Sequence, residues 1–340
     1  MSSAAVPPPA EWVDQNIPWH FGNPLNEQRV LAAGGGVVEL SNRVVIALTG
    51  PDRLSWLDSI SSHSVAKLVP GESATTLILS PHGHMEHELH VIAATDICYL
   101  IAEADNGAAL VDYLTKMKFM SRVEIEFATD FTVVFEPVRE IADLPTWLTP
   151  LEFGELGLTS AGSSAGGDQS RYLIPRPAKF LGREVLIAKS ELTNYLAGKE
   201  LVGSWAYNAL RIAAGVPRMK DVDHKTLPHE IGLIGPGVHL SKGCYRGQET
   251  VARLHNLGKP PRRLTLLYLE AGDNKLPMHG DLVKLNEEEI GVICAAAQHY
   301  ELGPIALALI KRSASASAIV SVNNQTATQQ LIINPEKERV

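Results

Sequence analysis

The last part of the chain is a series of short runs of apolar and β-branched residues, and no other feature limits the fold as strongly. The runs RLTLLYLEA, GDLVKLN, EIGVICAAA and IALALIKR follow one another from residue 263, separated by turns that contain Gly, Asn or Asp. Several short strands in succession are typical of a small closed β-barrel or a sandwich. We therefore predict a C-terminal β-barrel domain, with a tail, over residues 263–340.

The first 262 residues alternate hairpin patterns with helical patterns and contain no regular strand–helix–strand repeat. This arrangement predicts an α+β fold rather than a doubly wound one. We divide it into an N-terminal extension (1–36), a first α+β region (37–150) and a second α+β region (151–262). The extension, rich in Pro and Ala, is expected to be an extended arm or a lid. A Gly/Ser-rich stretch at 155–170 predicts a flexible loop.

Charge and cysteine content narrow the classes of function. The 340 residues carry a net charge of −8, which argues against a broadly basic surface for nucleic acid. Neither a secretory signal nor a membrane-spanning apolar run is present, so we expect a cytoplasmic protein without a membrane partner. The three cysteines form no CxxC pair, which argues against a disulfide framework or a self-contained metal or iron–sulfur site.

The stretch KGCYRGQE (242–249) is the strongest candidate for chemistry. Gly243 and Gly247 flank Cys244, and glycines there let the backbone adopt positive φ and let a ligand approach the main chain. Lys242 favours the thiolate form of Cys244, because a nearby cation stabilises a thiolate. Gln248 and Glu249 stand where a following helix is expected to begin. Both side chains can form hydrogen bonds with a polar heterocycle. A Gly-rich turn around a buried cysteine is the alternative.

Basic residues accumulate after the cysteine, although the whole chain is acidic. Between residues 242 and 263 the only acid is Glu249, whereas the basic residues beyond Lys242 are Arg246, Arg253, Lys259, Arg262 and Arg263. This surplus suits an anionic ligand such as a carboxylate tail or a phosphate. A solvated basic loop is the alternative.

The hairpin segment SPHGHMEHELHV places polar side chains on one face of its second strand. Alternation predicts that His84, Glu86, Glu88 and His90 share one face, and that Met85, His87, Leu89 and Val91 share the other. The spacing does not match a helical zinc motif, so we predict no metal site here. A polar face that lines a cavity is favoured, with Glu88 or His90 in contact with a ligand.

A third segment, ALRIAAGVPR, places Arg211 towards the end of an apolar helical run. A cation there interacts favourably with the helix dipole, so the residues alone indicate a structural role.

Together these segments resemble the YgfZ-type folate-binding proteins, relatives of the aminomethyltransferase (T-protein) of the glycine cleavage system. The resemblance rests on KGCYRGQE, LRIAAGVPR and LPHE, and on similar segments from residue 37 to 312. It implies a ring of domains around a channel for a tetrahydrofolate-type ligand. It also implies a role in assembling or repairing iron–sulfur clusters, including those of enzymes that modify tRNA.

The resemblance assigns roles residue by residue. We predict Cys244 and Lys242 as the chemically active pair. The predicted cofactor-binding residues are Arg211, Tyr245, Gly247, Gln248, Glu249, Glu88 and Arg253. Two positions depart from the family pattern. Ala213 replaces a common glutamate that meets the pterin, and His87–Glu88 stand where the T-proteins have their catalytic aspartate pair.

Three functions therefore stay open from the sequence. The favoured one is a folate-dependent accessory factor for iron–sulfur proteins that acts through Cys244. One cysteine cannot hold a cluster alone, so a transient cluster there needs ligands from an iron–sulfur client or assembly protein, a second subunit or a small thiol. The second is a folate-dependent aminomethyl- or methyltransferase, with Glu88 as its base. The third is a module that only binds folate or an acidic metabolite.

Overall fold

The computed structural model describes residues 4–153, 176–271 and 275–334. The loop predicted at 155–170 lies outside these residues. Within them the fold combines two five-stranded sheets, a closed barrel and short helices.

Seven α-helices connect or cover the sheets in the described part of the chain. They are α1 (Pro24–Ala32), α2 (Arg53–Ile60), α3 (Gly107–Met117), α4 (Leu192–Leu196), α5 (Ser204–Ala213), α6 (Pro228–Ile231) and α7 (Gln248–Leu257). Short 3-10 turns occupy Ala104–Asn106, Leu151–Phe153, Lys189–Glu191 and Met219–Asp221.

Helix α1 shows that the N-terminal segment is more than the extended arm we expected. The side chain of Asn23 accepts a hydrogen bond from the amide of Asn26, and Pro24 occupies the first helical position. Both features stabilise a helix start. Helix α1 packs against α5, with Leu31 buried in the core beneath. The segment is therefore part of the body.

The first sheet carries the hairpin identified in the sequence. Its strands are β2 (Arg43–Thr49), β3 (Ser73–Leu79), β4 (Met85–Ala93), β5 (Ile97–Glu103) and β6 (Glu124–Phe127). They run antiparallel in the order β3-β4-β5-β2-β6. Helices α2 and α3 cover one face, where Trp56, Leu57, Leu110 and Leu114 pack onto the sheet. The other face packs partly against the second sheet, through Val45, Ile92 and Ile101, and partly lines the cavity described below.

The second sheet faces the first across that cavity. Its strands are β1 (Val37–Glu39), β7 (Phe131–Glu136), β8 (Thr146–Leu148), β9 (Arg183–Ala188) and β10 (Leu201–Val202). The order is β10-β1-β7-β9-β8, with β1 and β10 parallel and the other pairs antiparallel.

The predicted C-terminal barrel is confirmed. Its strands are β11 (Arg262–Leu269), β12 (Leu282–Leu285), β13 (Glu288–His299), β14 (Gly303–Lys311), β15 (Val320–Val322) and β16 (Gln325–Leu331). They close in the order β11-β14-β13-β12-β15-β16, and all neighbours are antiparallel. The α+β class is confirmed with it. The domain boundaries stay predictions.

A β-bulge in the β3–β4 hairpin corrects the alternation expected for that strand. Ile78 pairs with His87, whereas Leu79 pairs with Met85, so the register shifts by one residue. Met85 therefore joins Leu77 and Leu79 in one core cluster instead of sharing a face with Leu89. An extra residue reverses the side-chain direction on one side of a bulge, and the simple period of two fails there.

Candidate functional site

A cavity lies where sheet one, sheet two and α5 meet, and aromatic rings and charged side chains share its walls. The aromatic rings that line it are Phe135, Trp147, Phe153, Phe180 and Tyr207. Phe135 and Phe180 stack with ring centroids 5.2 Å apart, and the ring of Tyr207 meets both edge-on. Walls of flat rings with a few polar groups are typical of sites for small organic ligands.

Strand β4 points an imidazole into this cavity. The Nδ1 atom of His90 lies 2.7 Å from Oε2 of Glu184 on β9, and the His90 ring stacks on Trp147 at 3.6 Å with a 2° angle between the planes. Glu184 is almost completely buried. Burial raises its pKa, but the charge and hydrogen bond of His90 and the charge of Arg43 outweigh this, so the pKa lies below its ordinary value.

Glu88 lies two residues earlier on β4 and also lines the cavity. Burial raises the pKa of this carboxyl group, while His90 and Arg43 partly oppose the rise. Glu184 and Glu88 thus have pKa values moved in opposite directions within one cavity. Such a divergence is typical of sites where one acid stays ionised and another keeps its proton.

Three arginines line the cavity, and each is already bound to a carboxylate. Arg43 pairs with Glu103, Arg211 with Asp221, and Arg218 with both Asp14 and Glu103. Although burial raises the pKa of Glu103, Arg43 and Arg218 bring it down to about 2. These buried pairs join the N-terminal segment, β2, β5 and α5 around the cavity. Breaking one partner of such a pair leaves an uncompensated buried charge.

Two buried donor groups on cavity residues lack a hydrogen-bond partner among the described residues. They are Nε of Arg43 and Nε1 of Trp147. Buried polar groups in native proteins are almost always satisfied by protein, water or ligand. A ligand in the cavity with acceptor atoms would supply the missing partners.

The KGCYRGQE segment follows α6 and runs into the first turn of α7, and Lys242 anchors it to the end of α2. Its ammonium group donates to the carbonyls of Ser61 at 2.8 Å and His63 at 2.9 Å and also to the carbonyl of Asp58, whose carboxylate lies 3.3 Å away. The side chain is 3% exposed. Burial lowers the pKa of Lys242, and Asp58 opposes the change. Lys242 thus joins the KGCYRGQE segment to the end of α2, a helix that covers the first sheet.

Cys244 differs from the other two cysteines in its exposure. Cys98 and Cys294 are buried, whereas Cys244 is exposed. Burial raises the pKa of the Cys98 thiol to about 12 and raises that of Cys294 as well. The alternative of a buried cysteine in a Gly-rich turn is therefore wrong for Cys244.

The residues after the cysteine pack the motif onto the hairpin. Arg246 donates to both carboxylate oxygens of Glu86 on β4, and its guanidinium lies 5.4 Å from the ring of Tyr113. Gly247 has φ +82, and a Cβ there would lie 2.5 Å from the Ser80 carbonyl oxygen in the hairpin turn. Only glycine allows this contact.

The remaining motif residues complete the same segment. Tyr245 is buried in the core, and burial raises the pKa of its hydroxyl. The side chain of Gln248 donates to the Lys242 carbonyl at 3.3 Å. Glu249 and Arg253 are exposed on α7.

The predicted site residues therefore form two groups. Glu88 and Arg211 line the cavity, whereas no residue from 242 to 253 belongs to its described lining. Ala213 is fully buried in the core next to the barrel and does not line the cavity. Among the described residues, no group of three or more His, Cys, Asp or Glu side chains is placed to hold a metal ion.

Sequence reasoning missed the partners that complete the cavity. Arg43, Trp147, Glu184 and Tyr207 come from four separate segments, and no motif links them. Glu88, His90 and Arg211, by contrast, were predicted, and all three line the cavity.

Comparison with solved structures defines the class of fold. The chain matches the aminomethyltransferase T of the glycine cleavage system from Bartonella henselae with a TM-score of 0.71. The match covers 96% of this chain and 93% of that one at 18% sequence identity. The fold is thus that of the aminomethyltransferase T-proteins. No family model matches the sequence.

Sequence relatives refine this placement. The chain is 26% identical over 247 residues to the mitochondrial iron–sulfur cluster assembly factor IBA57 homolog of Cryptococcus neoformans, covering 67% of this chain and 64% of the relative. It is 24% identical over 301 residues to the aminomethyltransferase of Lysinibacillus sphaericus, covering 83% and 80%. The chain is thus similar to both groups, as the sequence resemblance predicted. The match to the assembly factor spans less than two thirds of that protein's length.

No helix in residues 4–153, 176–271 or 275–334 combines the length and the apolar character needed to cross a membrane.

Proposed function

We propose that this protein is a folate-binding accessory factor for the assembly or repair of iron–sulfur clusters. The observation that carries the proposal is the separation of two features: an aromatic cavity inside the fold, and one exposed cysteine on an anchored surface segment. The cavity would hold the folate, and Cys244 would act on the partner protein.

The residues of the cavity fit a reduced folate. Its aromatic walls suit a flat bicyclic ring, and Arg43 and Trp147 carry buried donors without partners among the described residues. Glu88 supplies a half-buried carboxyl group with a raised pKa, which suits hydrogen bonding to ring nitrogens. We propose that Glu88 takes the part of the glutamate that Ala213 replaces. Arg211 is bound to Asp221, so we propose that it shapes the cavity wall.

The iron–sulfur role is supported by the relatives named as assembly factors and by the exposure of Cys244. A thiolate is a natural iron ligand, but a cluster needs more ligands than one cysteine supplies. We therefore propose that an iron–sulfur client or assembly protein contributes the others. Clients would include cytoplasmic enzymes that modify tRNA, and no direct contact with nucleic acid is required.

Complementation tests the role of the thiol. A strain that lacks the gene would receive the wild type, Cys244→Ser or Cys98→Ser, and the activity of an iron–sulfur enzyme would be measured. We expect rescue by the wild type and by Cys98→Ser, which alters a buried thiol, and no rescue by Cys244→Ser. Full rescue by Cys244→Ser at equal protein level would end the thiol proposal.

A second candidate function is folate-dependent aminomethyl or methyl transfer. The presence of Glu88 and the His90–Glu184 pair in one cavity favours it, because such a transfer needs an acid and a base near the folate. It predicts turnover of tetrahydrofolate with a methylamine donor, and loss of that turnover in Glu88→Gln. Absence of turnover in folate-loaded wild type would leave the accessory role as the better account.

A further inference from the structure

We propose that His90, positioned by Glu184, is the proton-exchanging group of the cavity, and that a planar nitrogen heterocycle bound there is linked to its protonation. The part that concerns the ligand rests on the proposed function, because it takes a reduced folate as the heterocycle. The part that concerns the pair itself rests on geometry alone.

The contact with Glu184 fixes which nitrogen is available. An ionised carboxylate can only accept hydrogen bonds, so at 2.7 Å the Nδ1–H of His90 must donate to Oε2 of Glu184. The lone pair of the neutral ring is then on Nε2. Stacking on Trp147 holds the ring plane, so Nε2 has one direction in which to act. His90 retains 15% of its side-chain exposure and Glu184 retains 1%, which leaves only the histidine accessible.

The groups around His90 come from several elements, and their charges are nearly balanced. They are Glu88 on the same strand, Arg43 on β2, Glu103 on β5, Glu184 on β9, Tyr207 and Arg211 on α5, and Arg218 beyond it. Arg43 is held by Glu103, Arg211 by Asp221, and Arg218 by Asp14 and Glu103. Glu184 is therefore the acid bonded directly to the imidazole. Glu88 lines the same cavity, and the raised pKa of its carboxyl group suits it to donate a hydrogen bond to a ligand there.

The proton that His90 gains comes from solvent. It binds at Nε2 when the ligand binds, and the new Nε2–H donates a hydrogen bond to a ring nitrogen of the ligand that offers a lone pair. The imidazolium that forms is stabilised by Glu184, and the proton returns when the ligand leaves. Neither an oxidant nor a second reactant is needed.

Trp147 provides a readout in the protein without ligand. A protonated imidazole stacked on an indole quenches its fluorescence, so emission should fall in one step as the pH is lowered. The step should disappear in His90→Gln and in Trp147→Phe. In Glu184→Gln, which keeps an acceptor without the charge, the step should move to lower pH, because the charge that stabilises the imidazolium is lost. A step that persists in His90→Gln would overturn the assignment.

Calorimetry of tetrahydrofolate binding, in two buffers of different ionisation enthalpy, tests the linkage to ligand. We expect the wild type to exchange a measurable fraction of a proton per ligand near neutral pH, and His90→Gln to bind without exchange. Equal proton exchange in both would overturn the proposal. No binding by the wild type, with the fluorescence step intact, would contradict the proposed function while supporting the titrating pair.

Discussion

Glu86 accepts hydrogen bonds from both terminal nitrogens of Arg246, at 3.2 and 3.0 Å, and this pair joins the cysteine segment to the strand that lines the cavity. Glu86 lies at the bulge of β4, and Glu88 and His90 follow on the same strand. One strand therefore carries both the contact that orients the Cys244 segment and the polar groups that face a ligand.

Glu86→Gln should loosen the cysteine segment without unfolding the protein. Both side chains are about one third exposed, and such pairs contribute about 0.2–1 kcal/mol. Hydrogen exchange of a peptide that spans residues 240–247 should accelerate by up to about fivefold. Glu249→Gln, a change at an exposed acid on α7, is the control and should leave exchange unaltered. An unchanged rate in Glu86→Gln would show that the pair does not hold the segment.

Thiol labelling of the folded protein should modify one cysteine. Cys244 is exposed, whereas Cys98 and Cys294 are buried and their raised pKa values disfavour the thiolate. Iodoacetamide at neutral pH should add one carbamidomethyl group to the wild type and none to Cys244→Ser, as measured by intact mass. All three should react in denaturant. Labelling of Cys244→Ser under native conditions would contradict the structure.

Lys242→Met should destabilise the protein by roughly 2–3 kcal/mol, because hydrogen bonds from a buried cation are stronger than neutral ones. The variant would lose the contacts to Asp58, Ser61 and His63 at the end of α2. Urea unfolding measures the change, and Lys116→Met on the exposed side of α3 is the matched control, expected within about 0.5 kcal/mol. Unchanged stability in Lys242→Met would favour a purely chemical role for this lysine.

Acid should weaken the fold before most carboxylates titrate. Burial lowers the pKa of His87 to about 4 from an ordinary 6.5. Between these two pH values the unfolded chain binds a proton at His87 that the folded chain does not. The free energy of unfolding therefore has its full value, as far as His87 is concerned, above pH 6.5 and decreases towards pH 4. The loss amounts to roughly 3 kcal/mol at most. In His87→Gln, the free energy of unfolding should depend less steeply on pH over this interval. His82→Gln, at an exposed turn, should keep the wild-type slope.

Local patterns predicted the parts of the fold that depend on neighbours in sequence. The barrel followed from repeated strand and turn signals, and the position of Glu88 and His90 on one polar face followed from alternation beyond the bulge. Helix α1 had a start signal in Asn23–Pro24, which the Pro- and Ala-rich composition around it obscured. Met85 was placed on the wrong face, because a bulge leaves no clear mark in a single sequence.

Contacts between distant segments could not be predicted in the same way. Glu184 is 94 residues from His90, and Lys242 is 184 residues from the Asp58 carbonyl that it binds. Asp52 is the N-cap residue of α2, yet its side chain accepts hydrogen bonds from Arg122, 70 residues away, and none from the amides of the helix. In each case a charged side chain takes the partner that tertiary packing brings near, which local spacing does not encode.

We propose that the ligand cavity and Cys244 are separate sites. The most direct test is the affinity for tetrahydrofolate, measured by calorimetry before and after iodoacetamide blocks Cys244. The account predicts that blocking changes the dissociation constant by less than about twofold, whereas Glu88→Ala weakens binding about tenfold or more through the loss of a buried hydrogen bond. Loss of binding on blocking Cys244, with Glu88→Ala unaffected, would contradict it.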